Sequence, residues 1–167
     1  MSAFISKART IRELLEEIRA GYQISLPVLI SQPAPDLQEW GDDATVAAPP
    51  RATTPLAYSR DYASETFTIL QVGRERNGSP LPVFIGRSRR RDVVVDHASV
   101  SKKHASIVLE QPGDKFYLTD EESKNGTCIN GQPIKPSVKT PLRSGAYITF
   151  GHVVLVFLDP ATLHRMA

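Results

Sequence analysis

The stretch Ser101–Thr127, SKKHASIVLEQPGDKFYLTDEESKNGT, decides the fold. It contains two strand-like runs, ASIVLE (105–110) and KFYLTD (115–120). Pro112-Gly113-Asp114 stands between them as a turn signal. The same pattern continues outward. Ahead lie FTILQV (67–72), PVFIG (82–86) and VVV (93–95); behind lie TCIN (127–130), AYITF (146–150) and VVLVFL (153–158). Asn77-Gly78-Ser79-Pro80, Asn125-Gly126, Asn130-Gly131 and Ser144-Gly145 punctuate them. Short strands at this spacing predict an all-β sandwich or barrel over residues 66–160, with no internal repeat.

Composition changes on the N-terminal side. Residues 31–65 hold Pro33, Pro35, Pro49, Pro50 and Pro55 among Ala, Thr and Asp, without apolar period, and read as a flexible linker. In residues 1–30, Phe4, Ala8, Ile11, Leu15 and Ile18 recur at helical spacing. Thr10 and Glu13 match a capping box and Gly21 a C-terminal stop, so a helix is expected over 11–20, packed on its own chain. GYQISLPVLI (21–30) fits either an edge strand or a docking segment. Residues 161–167 read as a C-terminal tail.

The whole chain has 167 residues, 20 Lys+Arg and 18 Asp+Glu, with 41% hydrophobic residues, enough for a packed core. Cys128 is the sole cysteine, which excludes an intrachain disulfide framework and a multi-cysteine zinc cage. No two of the four histidines have metal-ligand spacing, so no metal and no cofactor is expected. No apolar run is long enough to span a membrane, and the charged N-terminal sequence does not read as a signal peptide, so a cytoplasmic location is expected. Residues 1–65 carry 6 basic and 9 acidic side chains, residues 66–160 carry 13 and 9. That excess, with aromatics at 7%, is too small to predict nucleic-acid binding.

Enzyme motifs are missing. Ser101 and His104 lie three residues apart, but no nucleophile elbow or third partner accompanies them. Gly73 and Gly78 have phosphate-loop spacing, yet Ser79-Pro80 follows where Lys is needed. Asp120, Glu121 and Glu122 are consecutive and read as a solvated turn rather than a paired acid and base. No catalytic residue is therefore assigned.

What remains is a series of spaced elements in loops: Gly86-Arg87, Ser101-Lys102-Lys103-His104, Ser123-Lys124-Asn125-Gly126-Thr127, then a trailing L-x-x-G-x-x-I-x-F-G from Leu142 to Gly151. Together these resemble the forkhead-associated (FHA) domain, over about residues 66–158. The resemblance implies an FHA-type β-sandwich of short antiparallel strands that binds phosphothreonine peptides. It assigns phosphate contact to Arg87, Ser101 and Lys102, and the peptide main chain to Asn125. Lys124 occupies a variable position that can touch the ligand. His104 is implied to brace the loops from beneath, and Ser99 lies where the family often sets preference for the residue three after the phosphothreonine. Gly86 and Gly126 are expected to permit tight turns, and Ser123 and Thr127 to fix their loop by local hydrogen bonds.

The side-chain chemistry suits that assignment. A phosphothreonine carries about −1.5 to −2 charge and three acceptor oxygens. Arg offers a planar fork, Ser a hydroxyl donor, Lys a point charge, and Asn both a donor and an acceptor. The expected function is a non-catalytic adaptor in serine/threonine kinase signalling. Its partner would be a threonine-phosphorylated protein or the kinase itself, with no nucleic acid and no membrane. Thr45, Thr53 and Thr54 are candidates for phosphorylation and self-binding. The alternative is a scaffold module that assembles through the N-terminal helix and leaves the pocket unused.

Overall fold

Residues 10–31, 67–70, 72, 75–112 and 114–167 are described by the structure, a computed structural model. Phe4 and Ala8 of the helical stripe, and Thr45, Thr53 and Thr54, lie outside them. In chain order the elements are helix α1 (Ile11–Arg19) and strands β1 (Val28–Ser31), β2 (Phe67–Ile69), β3 (Glu75–Arg76), β4 (Ser79–Pro80), β5 (Val83–Gly86), β6 (Val93–Val94) and β7 (Ala105–Glu110). Then come β8 (Lys115–Asp120), β9 (Thr127–Ile129), β10 (Gln132–Pro133), β11 (Thr140–Leu142), β12 (Tyr147–Phe150), β13 (Val153–Leu158) and helix α2 (Pro160–Met166).

The strands form a six-stranded sheet, β10-β9-β12-β13-β1-β2, and a five-stranded sheet, β11-β8-β7-β5-β6. Pairing is antiparallel except for β5 with β6. Leu70, Val83, Ile85, Ile107, Leu118, Ile148, Phe150 and Phe157 fill the interior between the sheets. The strand runs read from the sequence at 105–110, 115–120 and 153–158 coincide with β7, β8 and β13. The short β3, β4, β10 and β11, at two or three residues each, carry too little apolar pattern to be read.

The unalternating runs VLI and VVLVFL have a structural cause. Leu29, Leu155 and Phe157 face the inter-sheet core, while Val28, Ile30, Val156 and Leu158 face a second cluster on the outer side of the six-stranded sheet. A strand buried on both faces has no polar face to alternate with. Ile11, Leu14 and Ile18 of α1 and Leu163 of α2 cover that outer side.

The capping box at Thr10 and Glu13 starts α1. Hydrogen bonds from Gly21 N–H to Ile18 and from Tyr22 N–H to Glu17 end it, in a Schellman pattern. Leu14 is fully buried and Leu15 half-buried, because the inward stripe runs through 11, 14 and 18 rather than 11, 15 and 18.

Three boundaries expected from the sequence are corrected. Residues 21–30 do not end in an edge strand or a free docking segment: β1 is internal, paired with β13 on one side and β2 on the other. The division between residues 30 and 31 falls inside that strand. Residues 161–167 are not a tail; 160–166 form α2, capped by the Asp159 side chain with Pro160 in its first turn. The seven-residue helix is too short to show a period, although Asp-Pro is a start signal.

Candidate functional site

Four loops meet at one end of the sandwich because antiparallel strands return their connections there. They are the turn after β5, the β6–β7 loop, the β8–β9 loop and the β12–β13 turn. Arg87 N–H donates to Ser101 O at 2.9 Å, and Ser88 N–H to Lys102 O at 3.3 Å. Lys124 N–H donates to Ser101 Oγ at 3.0 Å. Asn125 Nδ2 donates to Ser99 O at 2.8 Å. Residues 87, 99–102 and 124–125 therefore form one rim although the sequence separates them widely.

Each group keeps hydrogen-bonding capacity. Arg87 is exposed, and its Nε donates to Val100 O at 3.2 Å, which orients the fork and leaves both terminal amino groups for an anion. Ser101 Oγ accepts from Lys124, so its own proton remains to donate. Asn125 retains a second amide hydrogen and its carbonyl oxygen. Lys102 and Lys124 are exposed beside them. Lys103 is turned away: its Nζ lies 2.7 Å from Glu121 Oε2 and 4.8 Å from the centre of the Phe84 ring. Arg89–Arg91 form a turn after β5, with Arg91 N–H donating to Ser88 O at 3.0 Å.

Two buried polar residues support the rim. His104 is fully buried; its Nδ1 accepts from Ser101 N–H at 3.0 Å and its Nε2–H donates to Gly126 O at 3.0 Å. Phe150 meets its ring edge-on at 5.5 Å. Burial lowers its pKa against the Gly126 bond and the Asp120 charge, which holds the neutral tautomer that both bonds need. Asp120, 1% exposed, accepts from Ser123 N–H at 2.9 Å, Ser123 Oγ at 2.6 Å and Thr127 Oγ1. Burial opposes its ionisation, but the bonds from Ser123 and Thr127 and the neighbouring His104 outweigh it, and its pKa is lowered.

The solvated acidic turn expected at 120–122 is thus corrected. Asp120 is a buried acceptor that folds the β8–β9 loop, Glu121 takes a hydrogen bond from Ser106 at 2.6 Å, and only Glu122 is exposed. Sequence reasoning passed over the Asp120–Ser123 spacing, which suits a side chain that caps a backbone N–H three residues on. Gly86 also differs from expectation. It ends a strand without positive φ, and a Cβ there would stand 2.4 Å from Lys102 O, so close approach excludes a side chain. Gly126, at φ +78°, sits in a left-handed turn.

A depression of about 630 Å³ lies elsewhere, on the outer face of β7 and β8 beside Pro80, Ser106 and Thr119. The rim itself is open. Among the described residues no helix is long and apolar enough to cross a membrane, and no group of three or more His, Cys, Asp or Glu is placed to hold a metal.

A family model described as FHA domain matches residues 83–151, from β5 to the β12–β13 turn. Residues 83–151 are an FHA domain. An ABC transporter ATP-binding/permease protein of Mycobacterium tuberculosis is 30% identical over 122 residues, 72% of this chain and 14% of that protein. The glycogen accumulation regulator GarA of Mycolicibacterium smegmatis is 37% identical over 73 residues, 44% of this chain and 43% of the regulator. The match thus covers less than half of either relative. An engineered FHA solved with the Myc-pTBD peptide has a TM-score of 0.54 at 20% identity, covering 84% of this chain and 96% of its own. The FHA domain of a Chlamydia trachomatis protein scores 0.52 at 16%, covering 81% and 98%. At those identities the likeness speaks for the FHA β-sandwich fold.

Proposed function

We propose that this chain is a non-catalytic reader of phosphothreonine peptides in serine/threonine kinase signalling. The carrying observation is the rim on which Arg87 and Ser101 are hydrogen-bonded neighbours while each keeps donors for an anion. Arg87, Ser101 and Lys102 take the phosphate, Asn125 holds the peptide main chain, and Lys124 borders it. Charge-assisted hydrogen bonds contribute about 1.5–3 kcal/mol each. Three or four, less the cost of ordering a peptide, leave roughly −7 to −9 kcal/mol, a micromolar interaction. The partner is a threonine-phosphorylated protein or the kinase.

The rival scaffold reading has less support. The apolar face of α1, through Ile11, Leu14 and Ile18, is already buried on this chain's own sheet. Self-regulation by a phosphorylated Thr45, Thr53 or Thr54 is a finer form of the proposal, and topology favours its reach. Ser31 pairs with Leu155 and Phe67 with Ile30. Both described residues that flank the linker therefore sit toward the same end of the sheet as the β12–β13 turn. Phosphorylating the chain should lower its affinity for an external phosphopeptide; unchanged affinity removes self-regulation.

A degenerate phosphothreonine-peptide library tests the main reading. The full chain should enrich phosphorylated members, and both the unphosphorylated library and Arg87→Ala should show no enrichment. Equal capture of both libraries overturns the reading.

A further inference from the structure

Asn125 projects from an exposed loop, and something must hold its amide. Its Nδ2 donates to the carbonyl of Ser99, 26 positions earlier. Ser99 is 8% exposed and bonded on every side. Its N–H donates to His97 Nδ1 at 3.1 Å, and its hydroxyl lies 2.8 Å from the same nitrogen. The hydroxyl also accepts from His152 N–H at 2.9 Å, across the β12–β13 turn. A ring nitrogen that accepts a backbone N–H carries a lone pair there, and the Ser99 hydroxyl donates to the same nitrogen. The arrangement repeats, at the other end of the 99–101 segment, the bond from Ser101 N–H to His104 Nδ1. Two imidazoles thus clamp one short segment. Its three carbonyls receive Asn125 Nδ2, Arg87 Nε and Arg87 N–H in turn.

We infer that Ser99, clamped by His97, is a positioning residue that aims Asn125 at the peptide. This rests on the phosphopeptide reading above. It also assigns Ser99 a use other than touching the ligand, since both hydroxyl functions are spent inside the protein. His97 itself is exposed, whereas His104 is enclosed. The titratable ring facing His97 from the neighbouring turn is His152, with ring centres 6.5 Å apart; Asp96 is the adjacent carboxylate in its own loop. Without the His97 acceptor, the Ser99 N–H and hydroxyl lose their shared partner, and the carbonyl that holds the Asn125 amide is less firmly placed.

The test compares His97→Asn, whose side-chain oxygen can stand as an acceptor where Nδ1 stood, with His97→Ala, which has no acceptor. The first readout needs no ligand: the side-chain amide resonances of Asn125 in the free chain at pH 7.5. They should keep their wild-type positions in His97→Asn and be displaced in His97→Ala. The second is affinity for a selected phosphothreonine peptide at pH 7.5. We expect a loss of about 5- to 10-fold for His97→Ala, of the size of one hydrogen bond, and less than 2-fold for His97→Asn. Asn125 resonances unaffected in His97→Ala, or equal losses in both variants, overturn the inference. Asn125 resonances displaced in His97→Ala, in a chain whose wild type binds no phosphopeptide, would instead sink the functional reading and leave the contact standing.

Discussion

The rim around Ser101 and the helical cap around Leu14 both join segments far apart in sequence, but they do so with opposite chemistry. The cap is apolar: α1, α2, β1 and β13 share one cluster of Ile, Leu and Val. Such burial is non-directional and stabilises in proportion to area. The rim is polar: buried His104 and Asp120 fix two loops through hydrogen bonds of defined direction. A buried polar group with every bond made specifies geometry, and one with a partner removed is costly. The cap therefore contributes stability without fixing direction, and the rim fixes the direction of its side chains.

Substitutions can break that comparison. The largest effect is expected in the cap. Leu14→Ala should cost about 2–5 kcal/mol of stability through lost burial and a cavity. Urea unfolding should show this while phosphopeptide affinity of the folded fraction stays within 2-fold of wild type; an equal fall in affinity would join the two regions. Next comes Arg87→Ala. Losing a charged fork should weaken a phosphothreonine peptide by roughly 100-fold, with the unfolding midpoint unchanged. Asp120→Ala mixes the two classes. It strands Ser123 and Thr127 and should cost about 2–3 kcal/mol of stability, with affinity reduced by a loosened β8–β9 loop.

Smaller effects come from pH. The folded pKa of His104 lies below the ordinary imidazole value of 6.5, so its contribution is complete above that value. It is lost as pH falls toward the lowered folded value, because the unfolded ring takes a proton that the buried ring refuses. Asp120 adds a second loss below the ordinary carboxyl value of 3.8. Unfolding midpoints from pH 8 to 3 should therefore fall in two stages, and a midpoint that rises below pH 6 would contradict the buried neutral ring. Peptide affinity should also weaken below about pH 6 as the phosphate gains its proton.

Much of the rim was legible in the sequence and much of the cap was not. Gly86-Arg87, Ser101-x-x-His104 and Ser123-x-Asn125-Gly126-Thr127 are side chains whose chemistry is stated by their identity and order. Strands β7, β8 and β13 were legible because each carries a run of apolar, aromatic or β-branched residues long enough to read. The place of β1 was not, since Val-Leu-Ile names a buried strand without naming its two neighbours. Nor was Asp120, whose burial depends on Ser123 and Thr127 closing over it. The sequence singles out the position of Ser99 but not its bonds to His97 and to the β12–β13 turn, which only the fold brings beside it.

The most direct test is to titrate the chain with a phosphothreonine peptide and follow backbone amide resonances. The account predicts that shifts concentrate at residues 87, 101, 102, 124 and 125, leave 11–19 and 160–166 unmoved, and vanish with the unphosphorylated peptide. Shifts centred on α1 and α2, or equal shifts with both peptides, would contradict it.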